Sequence, residues 1–345
     1  MKKILILGLL LCLLLTACSS RKPYSPEFDL GVIQSTGTKN KSIITFYKND
    51  FTEVSSMALP YGSMDYFGFI EPIVQKNHLF VIPKGLSTKK DLGIVLDIDL
   101  TDGSNKKVEF DRINITSIQV TDEYIFAASN FNQTVYLDRY QRQNKTTDTV
   151  KLNDWMVLNV GVHNGQLLAT GLEMSESNSS KVSLLRFNFE AGSYEELADL
   201  SPYSFESEPP THILSYGHIV FMTSNDQFLI YNDQLNTIES KKLPDNMAQQ
   251  MLIDGDRIFI LHSDIVGSSR ESSLTILKLQ DYTMDNYPLG ETIWQLTKSG
   301  NTLFGLDLND RAVHVFDVNE TGIAKKSTHI LTLDEGLNLS AIFMN

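Results

Sequence analysis

From Phe28 onward the sequence predicts an all-β fold, a seven-bladed β-propeller of four-stranded antiparallel blades. Three observations predict it. Short runs rich in Ile, Val, Leu, Phe and Tyr alternate with Asn, Asp, Gly and Ser, and no long stretch carries an apolar stripe at helical spacing. A turn followed by an apolar strand recurs at Asn77, Asp122, Asn164, Gly217, Gly255 and Gly300, at intervals of 38 to 53 residues. The chain then ends on one more apolar strand, LSAIFMN, with nothing after it to pair with.

Taken in order, the first element is the segment MKKILILGLLLCLLLTA, residues 1–17. Lys2 and Lys3 precede an apolar run from Ile4 to Leu15. That run is shorter than the roughly 20 residues needed to cross a bilayer core, and small residues follow it, which describes a secretory signal. The stretch Leu15-Thr16-Ala17-Cys18 resembles the lipobox of bacterial lipoproteins. The resemblance implies cleavage before Cys18 and a diacylglycerol on its thiol. The product is a lipoprotein held by palmitate-type chains on the extracytoplasmic side of the cell membrane. Two or more acyl chains suffice for stable anchoring. The other reading of the segment is an ordinary cleaved signal with Cys18 as an incidental thiol. Cys12, the second of only two cysteines, lies in the removed segment, so disulfides and thiol catalysis are excluded from the mature fold.

Residues 18–27, CSSRKPYSPE, are polar, carry two prolines and have no periodicity; they read as a lipidated flexible linker. The propeller is expected over 28–345. Its first unit, FDLGVIQSTG with SIITFYKNDFTEVSSMALP, supplies three strands and lacks an innermost one. Each of the next six units opens on a turn and an apolar strand, such as TDEYIFAAS or DGDRIFILH, followed by an alternating strand such as QTVYLDRYQ or LTILKLQDYT. Four strands in about 40–50 residues is one propeller blade. Leu339–Met344 then supplies the missing innermost strand of the first blade and closes the ring without a free edge. Strand counting alone leaves six or eight blades open. Over residues 28–345 the pattern is similar to the bacterial lactonase-like and quinoprotein-like propellers. That resemblance implies architecture only, since no Trp-Asp signature or Asp-box is present.

The connections are unequal. Tight turns such as HNG, DGD and SGN contrast with PKGLSTKKD, LEMSESNSSK, SDIVGSSRESS, LPYGSMDYFGF and LSPYSFESEPPTH. In a four-stranded blade the long kinds share one face, which marks that face as the expected binding surface. Two long loops carry Tyr61, Tyr66 and Phe67, and Tyr203 and Phe205. These aromatics either anchor a protein or glycan partner or plug the channel top. Trp155 and Trp294 begin innermost strands and either face the central funnel or wedge between blades.

Acids near the same rim are Glu71, Asp154, Glu206, Glu208 and Glu291. Lactonase-like propellers hold an axial cation with such groups, but the positions do not match here, and no metal or cofactor is expected. The run DIDLTDGS, with Asp97, Asp99 and Asp102, misses calcium-loop spacing and reads as a strand and turn. His78, His163 and His218 fall at tight turns, with no HExxH and no paired histidines on a strand. No nucleophile elbow or phosphate-binding glycine loop occurs, so no catalytic residue is assigned.

The formal charge of −13 disfavours nucleic acid and anionic headgroups. The 21 lysines against 8 arginines, with abundant Asn and Ile, associate the chain with a Gram-positive host. The resulting expectation is a monomeric, non-enzymatic envelope module that binds a protein or glycan by its long-loop face. The alternative is a propeller enzyme acting on a sugar, lactone or glycan through axial carboxylates, with or without a divalent cation, which needs two or more of Glu71, Asp154 and Glu291 to converge.

Overall fold

The computed structural model describes residues 23–64, 71–83, 93–174, 181–204, 210–264, 270–319 and 322–345. These form seven four-stranded antiparallel sheets. The first blade contains β1 (Leu30–Ser35), β2 (Ser42–Tyr47) and β3 (Glu53–Leu59). The second contains β4 (Ile73–Gln75), β5 (His78–Val81), β6 (Ile94–Asp99) and β7 (Asn105–Glu109). The third contains β8 (Ile115–Val120), β9 (Tyr124–Phe131), β10 (Thr134–Gln141) and β11 (Thr146–Asn153). The fourth contains β12 (Trp155–His163), β13 (Gln166–Glu173), β14 (Lys181–Asn188) and β15 (Ser193–Asp199). The fifth contains β16 (His212–Tyr216), β17 (Ile219–Ser224), β18 (Gln227–Asn232) and β19 (Thr237–Lys242). The sixth contains β20 (Ala248–Asp254), β21 (Arg257–His262), β22 (Ser273–Lys278) and β23 (Met284–Pro288). The seventh contains β24 (Gln295–Ser299), β25 (Thr302–Asp307), β26 (Ala312–Asn319) and β27 (Gly322–Ile330). Last comes β28 (Asn338–Met344), which joins the first blade as its innermost strand in the order β28-β1-β2-β3.

The apolar runs of the middle strands follow from their position. Each middle strand is covered on both faces by neighbouring blades, so both sets of alternating side chains are buried. In β21, Ile258 and Ile260 pack with the fifth blade, while Phe259 and Leu261 pack with the seventh. Repeated around the ring, this gives one apolar cluster at each blade-to-blade interface. Outermost strands have one free face and alternate, as in β11 with only Val150 and Leu152 buried.

Closure is antiparallel. Leu30 pairs with Met344 and Ile33 with Ala341, and a bulge follows at Ile33/Gln34. Phe343 lies directly over Gly31, where an added Cβ would stand 2.1 Å from the ring. Glycine is therefore required at that point by close approach rather than by backbone angle.

The N-terminal segment leaves the first blade beside the chain end, where Asn345 N–H donates to Asp29 O at 3.0 Å. Part of the expected linker is docked there. Tyr24 packs edge-on against Phe46 at 5.2 Å, and its hydroxyl donates to Leu100 O in the β6–β7 turn. Burial pushes the Tyr24 phenol up to about 12. Ser25 N–H donates to Ser55 Oγ at 3.1 Å. Cys18 and the signal segment lie outside the described residues.

Candidate functional site

Strand bounds divide the connections between two faces. On one face each β-turn or short link joins neighbours such as His163 to Gln166 and Asp254 to Arg257. Asn164 and Gly165 both have positive φ in the first of these, the geometry that two-residue hairpins need. The other face receives the five long connections, Leu59 to Ile73, Val81 to Ile94, Glu173 to Lys181, Asp199 to His212 and His262 to Ser273. Residues 23–29 leave from the short-turn face, because β1 starts opposite the end of β28.

Of the expected surface aromatics, Tyr66, Phe67 and Phe205 lie outside the described residues, as do Glu206 and Glu208. Tyr61 is only 7 % exposed and packs into the interface of the first two blades; its ring is not a free docking surface. Trp155 is 6 % exposed and wedged in the interface of the third and fourth blades, with its indole against Gly171. Wedging, the second of the two readings for this residue, describes it. Tyr203 ends a short 3-10 turn, Ser201–Tyr203, and is half-buried beside the fourth-to-fifth interface. Trp294 is half-buried and packs on the core of the first two blades.

An axial cavity of about 270 Å³ lies among the innermost strands of blades two to six. Glu71, Ser117, Gln119, Asn159 and His212 supply its polar lining. Most of these amides and hydroxyls are also used to tie one innermost strand to the next. Gln119 Nε2 donates to Val160 O at 3.1 Å, and Ser117 Oγ donates to Asn159 Oδ1 at 3.1 Å. Bulges in β8, β12 and β20 re-aim the side chains that make such ties. His212 is buried, and burial pulls its imidazole down to about 4, so it is neutral near pH 7. It is a cavity residue that its scattered position in the sequence did not mark.

Only Glu71 among the three expected axial acids lines this cavity. Asp154 is exposed at positive φ in the β11–β12 turn. Glu291, in the β23–β24 connection, lies instead with Asp307 and His314 of the seventh blade. His314 Nε2 is 3.4 Å from Asp307 Oδ2 and 3.8 Å from Glu291 Oε2. Lys325 pairs with the other oxygen of Glu291. These are the described residues best able to hold a metal ion. Neither Asp307 nor His314 carries a motif, although a histidine inside AVHVFDV is bound to be buried in a strand covered on both faces.

The remaining candidates are structural. Asp99 Oδ1 accepts from Thr101 N–H at 2.8 Å and Asp102 Oδ1 from Ser104 N–H at 2.8 Å, so both acids cap a turn. Asp97 is buried against His78 Nδ1 at 2.6 Å. His163 bridges the fourth and fifth blades, with Nδ1 at 2.7 Å from Ser215 Oγ and Nε2 at 2.9 Å from Asp233 Oδ2. His218 approaches the same carboxylate at 3.4 Å. That bond to His163 is the main cause holding Asp233 below the usual carboxylate range.

No family model and no curated protein matches the chain. Solved structures do. A functionally unknown protein from Desulfotomaculum acetoxidans is similar at a TM-score of 0.61 with 13% identity, over 91% of this chain and 99% of that one. A "putative 6-phosphogluconolactonase" from Bacteroides uniformis gives 0.61 with 10% identity, over 92% and 100%. AztD from Citrobacter koseri gives 0.56 with 8% identity, over 92% and 98%. At such identities the likeness establishes a shared fold and nothing finer: the chain is a seven-bladed β-propeller closed by its C-terminal strand.

Proposed function

We propose that the chain is a lipid-anchored envelope protein whose propeller binds a protein or glycan by its long-loop face, without catalysis. One observation carries the reading. Residues 23–29, which follow the proposed anchor, and the long connections lie at opposite faces of the ring. A lipid on Cys18 would hold the short-turn face toward the extracytoplasmic side of the membrane and turn the long loops outward. The docking of Tyr24 and Ser25 on the short-turn side supports that orientation. The acidic surface, at −13 overall, keeps the body of the protein off anionic headgroups and away from nucleic acid.

The test is crosslinking of the native protein in intact cells, with mass spectrometry of what is attached. A dominant partner linked through residues 60–72 or 200–211 supports the reading. Partners linked through the short-turn face would overturn it.

The axial cavity supports a second reading, a small-molecule site. Glu71 and neutral His212 there could bind a sugar or lactone hydroxyl. Thermal stabilisation by such compounds, lost on substitution of Glu71, would favour it.

A further inference from the structure

We infer that Glu291, Asp307 and His314 form a divalent transition-metal site of the zinc class at the long-loop end of the seventh blade. The argument is independent of whether that face docks a partner.

Each of the three groups has one atom already held and one atom aimed at the same space. His314 Nδ1 is 3.0 Å from Thr328 Oγ1, while Nε2 has no hydrogen-bond partner and the residue is 2 % exposed. Asp307 Oδ1 accepts from Asn309 N–H at 2.8 Å and from Asp310 N–H at 3.0 Å, leaving Oδ2 toward the histidine. Glu291 Oε1 is taken by Lys325, leaving Oε2 toward the histidine. The backbone of Glu291 is fixed as well, since its carbonyl accepts from Ser272 N–H at 2.7 Å. A metal-bound histidine ordinarily donates its second ring N–H to an oxygen, and ligating carboxylates are likewise pinned by outer partners. Thr328, the Asn309 and Asp310 amides and Lys325 fill those outer roles.

The spacing fits. Tetrahedral coordination with bonds of about 2.0–2.1 Å places ligand atoms about 3.3–3.4 Å apart. The Nε2–Oδ2 and Nε2–Oε2 separations are 3.4 and 3.8 Å, and all the candidate ligand atoms lie within 4.8 Å of one another. One imidazole with two carboxylates favours a borderline ion such as zinc over calcium or magnesium, which take oxygen alone.

The sixth blade provides an internal comparison. His262 and Thr275 occupy the two ladder positions that Asp307 and His314 occupy in the seventh. There the imidazole is fully used, with Nδ1 at 3.0 Å from Asn246 O and Nε2 at 2.8 Å from Thr275 Oγ1. The seventh blade keeps the two ladder positions but puts a carboxylate at the first and the histidine at the second, and leaves its Nε2 open.

The experiment uses the full chain, purified in detergent, stripped with a chelator and titrated calorimetrically with zinc chloride. The expected result is saturable binding of one ion per chain and a rise in melting temperature. Calcium chloride at the same concentration should give neither. Glu291→Gln, at a partly exposed position, should fold normally and bind zinc at least ~10-fold more weakly. His314→Gln should do the same, with circular dichroism checking its fold. Absence of saturable zinc binding overturns the inference, as does wild-type affinity in Glu291→Gln.

Discussion

The side-chain amide of Gln295 bonds to both backbone groups of Ile342: Nε2 donates to its carbonyl at 3.1 Å, and Oε1 accepts from its N–H at 2.9 Å. Gln250 does the same one blade earlier, to Leu296 O at 2.9 Å and Leu296 N at 2.7 Å. The Gln295 pair matters most, because it ties the seventh blade to the strand that closes the ring. Its replacement by alanine leaves a buried donor and a buried acceptor unpaired. Each costs about 1–3 kcal/mol, so Gln295→Ala should lose roughly 2–6 kcal/mol in denaturant unfolding. A loss under about 0.5 kcal/mol would show that water replaces the amide at no cost.

Ring closure itself can be tested by removing residues 338–345. This deletes the ladder from Leu30 to Ser35 and strips apolar cover from two interfaces, where Phe343 faces the second blade and Ile342 the seventh. In a ring where stability comes from neighbours, such a loss spreads beyond one blade. The truncated chain should lose its cooperative melt and become protease-sensitive throughout. A melting curve like that of the full chain would mean the other six blades hold without closure.

Gly31 and Phe343 make a narrower test of the same seam. A Cβ at position 31 would stand 2.1 Å from the ring, and the ring itself is buried between blades. Gly31→Ala should therefore cost about 1–3 kcal/mol by overpacking. In Phe343→Ala, itself destabilised by a cavity, the added methyl should cost much less. Equal costs in both backgrounds, measured as a double-mutant cycle, would show that backbone effects rather than the ring decide the penalty.

The architecture was legible because its signals are local. Alternation, hairpin turns and an unpaired last strand lie within short windows, and the closing strand pairs where the missing first strand required. The site was less legible because it depends on contacts between blades. Glu291 stood out as an acid near a rim, but its neighbours Asp307 and His314 come from different strands and share no spacing motif. Tyr61 adjoins a long connection and Trp155 opens an innermost strand, and neither position in sequence says whether an aromatic turns outward or into an interface. Packing turned both inward.

His212 gives the fold a defined pH dependence. Burial holds its folded pKa near 4, against about 6.5 unfolded. Between those values the unfolded chain binds the proton and the folded chain does not. Stability is then full above about pH 6.5 and falls as pH drops toward 4, by about 3 kcal/mol at most from this group. His212→Gln removes the titration and should flatten the curve over that window relative to its own value at pH 7. An unchanged slope would assign acid lability elsewhere, with His262, also lowered by burial, the next residue to replace.

Thr328→Val separates a metal site from a simple ion-pair cluster. Thr328 touches the imidazole at Nδ1, not at the nitrogen aimed toward the carboxylates, and it lies on the exposed outermost strand β27. In an ion-pair cluster its loss removes one partly buried hydrogen bond, worth about 0.5–1.5 kcal/mol of stability, and leaves metal affinity out of account. In a metal site it also frees the ring and its tautomer, and loss of such an outer partner costs roughly 10–100-fold in metal affinity. Zinc titration of Thr328→Val should show that loss while its melting temperature without metal stays close to the wild type. Thr328→Ser, which keeps the oxygen, should restore most of the affinity. Full affinity in the valine variant would mean that Thr328 does not orient the imidazole, and that packing alone aims His314 Nε2 at the two carboxylates.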